Sequence, residues 1–285
     1  MSKATREGPH GRGRDIPDAG SRHVTKKRFG QHFLHDAGIL RKIVQAIAPR
    51  RDDTVIEIGP GEGALTLPLL RELGRMTVIE LDRDLVPRLR ALAEGVGELE
   101  IINADVLTVD FSTLARGAPL RIVGNLPYNI SSPILFHCLD HIDAIQDMHF
   151  MLQREVVDRM AAAPGSKVYG RLSVMLQLVC RVDPLLRVPP GAFRPPPKVD
   201  SAVVRLTPRP EAERPSVDAD LLARVVKAAF GQRRKTLANA LGDVVSADQI
   251  RAAGVDPRIR AEQLPVSAFV ALAEQVQREP ATGNR

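Results

Sequence analysis

Between residues 54 and 123, four short apolar runs (54–58, 76–81, 99–103 and 120–123) alternate with segments of helical spacing. Runs this short, bounded by turn residues, read as buried strands, and their alternation with helices predicts a parallel sheet covered by crossover helices. The crossovers 64–73 and 84–93 are stopped by Gly74 and Gly95, and each holds one proline, Pro68 or Pro87, tolerable only near a first turn. Upstream, Ile39, Leu40, Ile43, Val44 and Ile47 mark an amphipathic helix over 36–48, with Asp36 as N-cap and Pro49 closing it.

Downstream, Ser132 and Pro133 read as N-cap and N1 of a helix over 133–139, and 148–152 as a fifth strand. Residues 171–180 read as a further helix, and the proline-rich stretch 189–197 as an ordered loop feeding a late strand at 202–206. Beyond residue 215 only helical patterns remain, around 217–230, 235–241, 247–253 and 266–276. The expected division is a basic flexible tail (1–21), a Rossmann-like catalytic domain (22–207), a linker (208–215), a small all-helical domain (216–278) and a short tail (279–285).

Composition narrows the function. The longest apolar runs, such as 65–70 and 174–179, fall far short of the ~20 residues of a membrane span. Residues 1–21 lack the apolar core of a signal peptide, so a cytoplasmic protein is expected. Cys138 and Cys180 stand apart in apolar stretches and read as buried thiols; the seven histidines form no ligand-spaced cluster, so no metal is expected. Residues 1–30 and 221–260 each hold eight Lys/Arg against three Asp/Glu, so each carries +5 of a chain whose formal charge is +6. Basic surface gathered in two segments suits a polyanion, although solvated helix faces would look the same. Nothing in the sequence demands more than a monomer.

The first strand runs into Gly59-Pro60-Gly61-Glu62-Gly63, a turn that lets a ligand approach the backbone closely. Gly59, Gly61 and Ala64 satisfy G-x-G-x-x-A, which alone also admits a nicotinamide or flavin dinucleotide. Glu80 closes the second strand 21 residues after Gly59, where a carboxylate can accept both hydroxyls of a ribose. Asp105 follows the third strand 25 residues later, placed to accept a hydrogen bond from an adenine 6-amino group. An adenosine fits such a row of strand ends.

Asn125-Leu126-Pro127-Tyr128 ends the fourth strand, and a dehydrogenase has no use for it. The lone pair of an adenine amine is delocalised into the ring. The Asn125 side-chain oxygen and the Leu126 carbonyl can accept its two N–H bonds and turn that lone pair toward the sulfonium methyl of S-adenosylmethionine. Tyr128 can stack on a base withdrawn from its own helix. Taken alone, Asn125 and Pro127 could equally make a strand-ending turn, with Tyr128 a core aromatic.

From about Lys26 to Ala273 the sequence resembles the ribosomal RNA adenine dimethyltransferase family, and within it the bacterial enzymes acting on 16S RNA. The matching stretches are Lys27-Arg28-Phe29-Gly30-Gln31-His32-Phe33-Leu34, the glycine turn, Asn125-Leu126-Pro127-Tyr128-Asn129-Ile130-Ser131 and Tyr169-Gly170-Arg171-Leu172-Ser173-Val174. Phe193-Arg194-Pro195-Pro196-Pro197-Lys198-Val199-Asp200-Ser201 and Arg233-Arg234-Lys235-Thr236-Leu237 complete the set. The resemblance implies a Rossmann-like methyltransferase in which His32, Leu34, Gly59, Gly61, Glu80, Asp105 and Asn125 hold S-adenosylmethionine. It also implies that Phe193 faces Tyr128 across the target base. The implied substrate is two adjacent adenosines in the 3′-terminal hairpin of 16S RNA in the small (30S) subunit, each receiving two methyl groups, with the helical C-terminal region helping to hold it. Two positions depart: His32 and Ala240 stand where Asn is common in the family.

Overall fold

The computed structural model describes residues 32–278. The basic tail 1–21, residues 27–31 of the first matching stretch and the segment 279–285 lie outside the described residues. In chain order the elements are β1 (Phe33–Leu34), α1 (Ala37–Ile47), β2 (Thr54–Ile58), α2 (Thr66–Leu73), β3 (Arg75–Ile79), α3 (Val86–Ala93) and β4 (Glu98–Ile102). There follow α4 (Phe111–Leu114), β5 (Leu120–Asn125), α5 (Ser131–Asp140), β6 (Ile145–Gln153), α6 (Arg154–Met160), α7 (Arg171–Val179) and β7 (Cys180–Val188). β8 (Phe193–Arg194), β9 (Ser201–Pro208), α8 (Ala219–Gly231), α9 (Leu237–Leu241), α10 (Ala247–Ala252) and α11 (Val266–Arg278) complete the chain.

Seven strands form one sheet in the order β4-β3-β2-β5-β6-β9-β7. The first five are parallel, as the alternation predicts, while β9 runs antiparallel to both β6 and β7. The chain leaves β2 for β3 on one side and returns to β5 on the other. The carboxyl ends of β2 and β5 therefore flank a switch point, where open α/β sheets bind ligands.

Three local expectations need correction. Residues 180–188 form an edge strand that the sequence reading left out: Pro184 argues against a strand interior, yet an edge tolerates it, and the register shifts between Pro184 and Leu186. Arg154–Met160 was likewise not anticipated as a helix. Helix α5 begins at Ser131 after Ile130, so Ser132 and Pro133 occupy its first turn rather than the N-cap and N1 positions. Proline is tolerated there because the first-turn N–H groups have no partner within the helix.

Asp36 caps α1 as anticipated, its Oδ1 accepting the N–H groups of Gly38 and Ile39 at 2.8 and 2.9 Å. At the other end of α1, the buried Arg121 donates to the Ile47 carbonyl at 2.6 Å, to Asp53 at 2.6 Å and to Asp147 at 2.9 Å. One guanidinium thus fastens the helix C-terminus, the loop after it and strand β6 to β5. Apolar cores lie about the sheet, one holding Phe111, Ile122, Phe150 and Val204, the other Ile43, Leu69, Val123 and Phe193. A third unites α8 to α11 with Tyr169, Val174 and Leu178, and the Tyr169 hydroxyl donates to the Leu264 carbonyl at 3.0 Å. The helical segment is thereby packed on α7. Both cysteines are free and buried, and burial pushes the Cys180 thiol up to about 12.

Candidate active site

A cavity of about 330 Å³ opens where the carboxyl ends of β2, β3, β4 and β5 meet, and Gly59, Gly61, Glu80, Asp105 and Asn125 all line it. The turn after β2 holds Gly61 at a φ of 56°, and a Cβ there would lie 2.9 Å from the Phe33 ring. Strand β1 is the reason: Phe33 and Leu34 pair with Arg194 and Phe193 and form a strap beside the glycine turn. Only a residue without a side chain lets strap and turn meet.

Glu80, immediately after β3, is buried, and both of its oxygens are oriented by backbone. One accepts the Gly61 N–H at 3.1 Å and the other the Asp82 N–H at 2.8 Å. Each oxygen retains a lone pair, so two acceptors remain at the spacing of a ribose diol. Burial pushes this carboxyl up, and backbone hydrogen bonds from Asp82, Gly61 and Leu81 oppose that shift. Asp105 caps the turn after β4, accepting the Leu107 N–H at 3.0 Å. Leu81 and Leu107, following Glu80 and Asp105, expose 52% and 38% of their surface, so each carboxylate has an apolar neighbour suited to a flat heterocycle.

Asn125 ends β5, and its Nδ2 donates to the His32 carbonyl at 2.9 Å. A carbonyl can only accept, so the amide nitrogen must face His32 and Oδ1 is left as an acceptor. Gly124 makes the position possible: a Cβ there would lie 2.6 Å from the Ile58 carbonyl oxygen. Leu126 is buried in the core and its N–H donates to Met151 O at 3.1 Å. Pro127 and Tyr128 follow on the cavity wall. The Tyr128 and Ser201 hydroxyls are 2.6 Å apart, and burial pushes the phenol up.

His32 and Leu34, implied by resemblance alone, both line the cavity. His32 Nδ1 lies 2.8 Å from the Pro195 carbonyl, so that nitrogen carries a proton, and the ring stands 5.7 Å from that of Tyr128. Phe193, implied to face Tyr128, is 2% exposed and is not among the residues lining the cavity; it packs with Leu34, Met151 and Val203, which are. Its strand pairing with Leu34 turns it inward, and the ring whose centroid lies near Tyr128 is that of His32.

Glu57, Gly124 and Ser201 were not singled out from sequence. Glu57 lies within the strand that enters the glycine turn, is 2% exposed and lines the cavity. Burial, opposed by the Thr66 hydroxyl donating at 2.6 Å and reinforced by the nearby Glu80 charge, pushes its carboxyl up to about 7. A carboxylate inside an apolar strand was the available signal. Among the described residues no group of three or more His, Cys, Asp or Glu could hold a metal ion, and no helix is long and apolar enough to cross a membrane.

Of the two basic segments, only 221–260 falls within the described residues. Arg233 is engaged there, donating to the Lys167 carbonyl at 2.7 Å, while Arg234 and Lys235 are exposed.

The cradle at Gly61, the two lone pairs on Glu80 and the acceptor on Asn125 suit an adenosine carrying a reactive group at its 5′ end. With the Rossmann-like sheet, they define the class of S-adenosylmethionine-dependent methyltransferases. Residues 22–278 match the family described as ribosomal RNA adenine dimethylase, and the chain belongs to that family. It is 62% identical over 248 residues to the ribosomal RNA small subunit methyltransferase A of Xanthomonas campestris pv. campestris (strain B100), covering 87% of this chain and 95% of that protein. A dimethyladenosine transferase from Plasmodium falciparum superposes with a TM-score of 0.75 at 27% identity, over 87% of this chain and 98% of that one. The 23S rRNA methyltransferase ErmE does so with a TM-score of 0.66 at 27% identity, over 86% and 99%.

Proposed function

We propose that this enzyme dimethylates N6 of two adjacent adenosines in the 3′-terminal hairpin of 16S RNA, acting as a cytoplasmic monomer on the small (30S) subunit. The observation that carries the chemistry is the Asn125 amide at the cavity, whose nitrogen is held by the His32 carbonyl so that its oxygen is left as an acceptor. Small-subunit specificity is supported by the 62% identity to a protein named for that subunit, against 27% to one named for 23S RNA.

His32, Leu34, Gly59, Gly61, Glu80 and Asp105 hold S-adenosylmethionine, which when bound supplies an electrophilic sulfonium methyl. Asn125 Oδ1 and the Leu126 carbonyl accept the two N6–H bonds of the target adenine, and Pro127 shapes the turn that presents them. Tyr128 supports the base from one face. Each transfer forms one N–C bond, breaks one C–S bond and releases one proton from N6. The acceptors stabilise that departing positive charge. Exposed Arg234 and Lys235 contribute phosphate contacts.

The test is transfer of radiolabelled methyl to small subunits from cells lacking the dimethyladenosines, followed by nucleoside analysis. Label is expected in N6,N6-dimethyladenosine, and Asn125→Ala is expected to lower turnover by roughly 10²–10³-fold while RNA binding persists. Label absent from small subunits but present on large-subunit RNA would overturn the substrate assignment.

A further inference from the structure

Tyr128 occupies the turn between Asn125, the last residue of β5, and Ser131, the first of α5. Ser201 sits in a stiffer place, opening β9 and paired with Gln153 of β6 on one side and Val188 of β7 on the other. It has no solvent exposure, and its Oγ lies 2.6 Å from the Tyr128 hydroxyl. Stacking a base needs only the π-face of an aromatic ring, which phenylalanine would supply equally well. The phenol oxygen has a different use: it ties a ring carried by a turn to a post fixed in the sheet.

We infer that Ser201 is a positioning residue for methyl transfer, acting through Tyr128 to hold the ring in the plane against which the target adenine stacks. This inference rests on the stacking role proposed for Tyr128. A ring released from Ser201 can turn about its two side-chain torsions, and the reacting nitrogen lies at the far edge of whatever stacks on it. A displacement of an ångström there is enough to slow an in-line transfer. His32 Nδ1, held by the Pro195 carbonyl, fixes the neighbouring ring in the same way, so both rings of this pair are tied by their polar atoms.

The experiment compares Ser201→Ala, Tyr128→Phe, the double variant and Tyr128→Ala in the full chain, with small subunits as substrate. If Ser201 acts through the hydroxyl, the first three share one defect: kcat falls roughly tenfold, the losses do not add, and donor Kd by calorimetry is unchanged. Tyr128→Ala should lose more, because the stacking face goes too. The chain has no tryptophan and two tyrosines, so in a Tyr169→Phe background all tyrosine emission comes from Tyr128. Its anisotropy should then fall on Ser201→Ala. Full turnover in Ser201→Ala with Tyr128→Ala still impaired would overturn the positioning role and leave stacking intact. Full turnover in Tyr128→Ala would overturn stacking itself. Additive losses, or weakened donor binding in Ser201→Ala, would mark Ser201 as a packing residue and equally overturn the inference.

Discussion

Glu57→Gln separates the folding consequence of a buried carboxyl from everything else at the cavity. In the folded protein burial pushes Glu57 up to about 7, whereas its ordinary value is 4.5. Below pH 4.5 the group is protonated in both folded and unfolded chains, and its titration does not affect stability. Between 4.5 and 7 the unfolded chain ionises while the folded one holds its proton, so stability falls as pH rises through that window. Above 7 the loss levels off. The separation of the two values corresponds to about 3 kcal/mol at ~1.36 kcal/mol per unit. Glutamine keeps the shape and can accept from the Thr66 hydroxyl, but it never ionises. Any constant cost of burying its amide cancels when two pH values are compared. Urea unfolding of both proteins should therefore show the stability of Glu57→Gln relative to the parent increasing by about 3 kcal/mol from below pH 4.5 to pH 8.5. A gap that does not move with pH would show that Glu57 titrates as an exposed carboxyl, and that water reaches the cavity floor.

Arg121→Met should cost about 3–5 kcal/mol in urea unfolding, because Asp53 and Asp147 keep their charges in a largely buried site without the guanidinium. A loss under ~1 kcal/mol would mean that solvent satisfies both carboxylates. Gly61→Ala should weaken donor binding at least tenfold by calorimetry, roughly 1.4 kcal/mol, since a Cβ meets Phe33 and the positive φ disfavours alanine. Undiminished affinity would show that the strap yields. Replacing Arg234 and Lys235 with Ala should flatten the salt dependence of RNA binding by up to about 1.8 in log–log slope, roughly 0.7–0.9 per lost phosphate contact. An unchanged slope would move the contact elsewhere. Arg233→Ala should act chiefly on stability, because that side chain is already committed to the Lys167 carbonyl.

The parallel part of the sheet was legible because most of its strands are buried apolar runs ending in turn chemistry, a local signal that needs no partner, while the edge strand β4 is only partly buried. Strand β7 was not, since Cys180–Val188 alternates poorly around Pro184 and takes its extended form from pairing with β9. The start of α5 was displaced for a related reason. Ser132-Pro133 carries a helix-start signature, but the Ser131 hydroxyl donates to the Tyr128 carbonyl at 3.3 Å and the helix begins two residues earlier.

At the site, the division falls between groups that depend on strand ends and groups that depend on the strap. Gly59, Glu80, Asp105 and Asn125 could be placed from spacing, because a parallel sheet brings the residues after successive strands to one edge whatever else the chain does. What orients Asn125 comes from far away in sequence. The oxygen of Asn125 is free only because the His32 carbonyl, 93 residues earlier, takes its nitrogen. His32 is in turn held by Pro195, 163 residues later. Phe193 shows the same dependence: its antiparallel pairing with Leu34 packs the ring against Leu34, Met151 and Val203, contacts that no spacing in its own motif foretells. A strap made of two two-residue strands has no periodicity to read, so its consequences for the Asn125 amide emerge only once the two segments have met. The chemistry of the Asn125 turn is therefore written locally, while its geometry is a property of the closed fold.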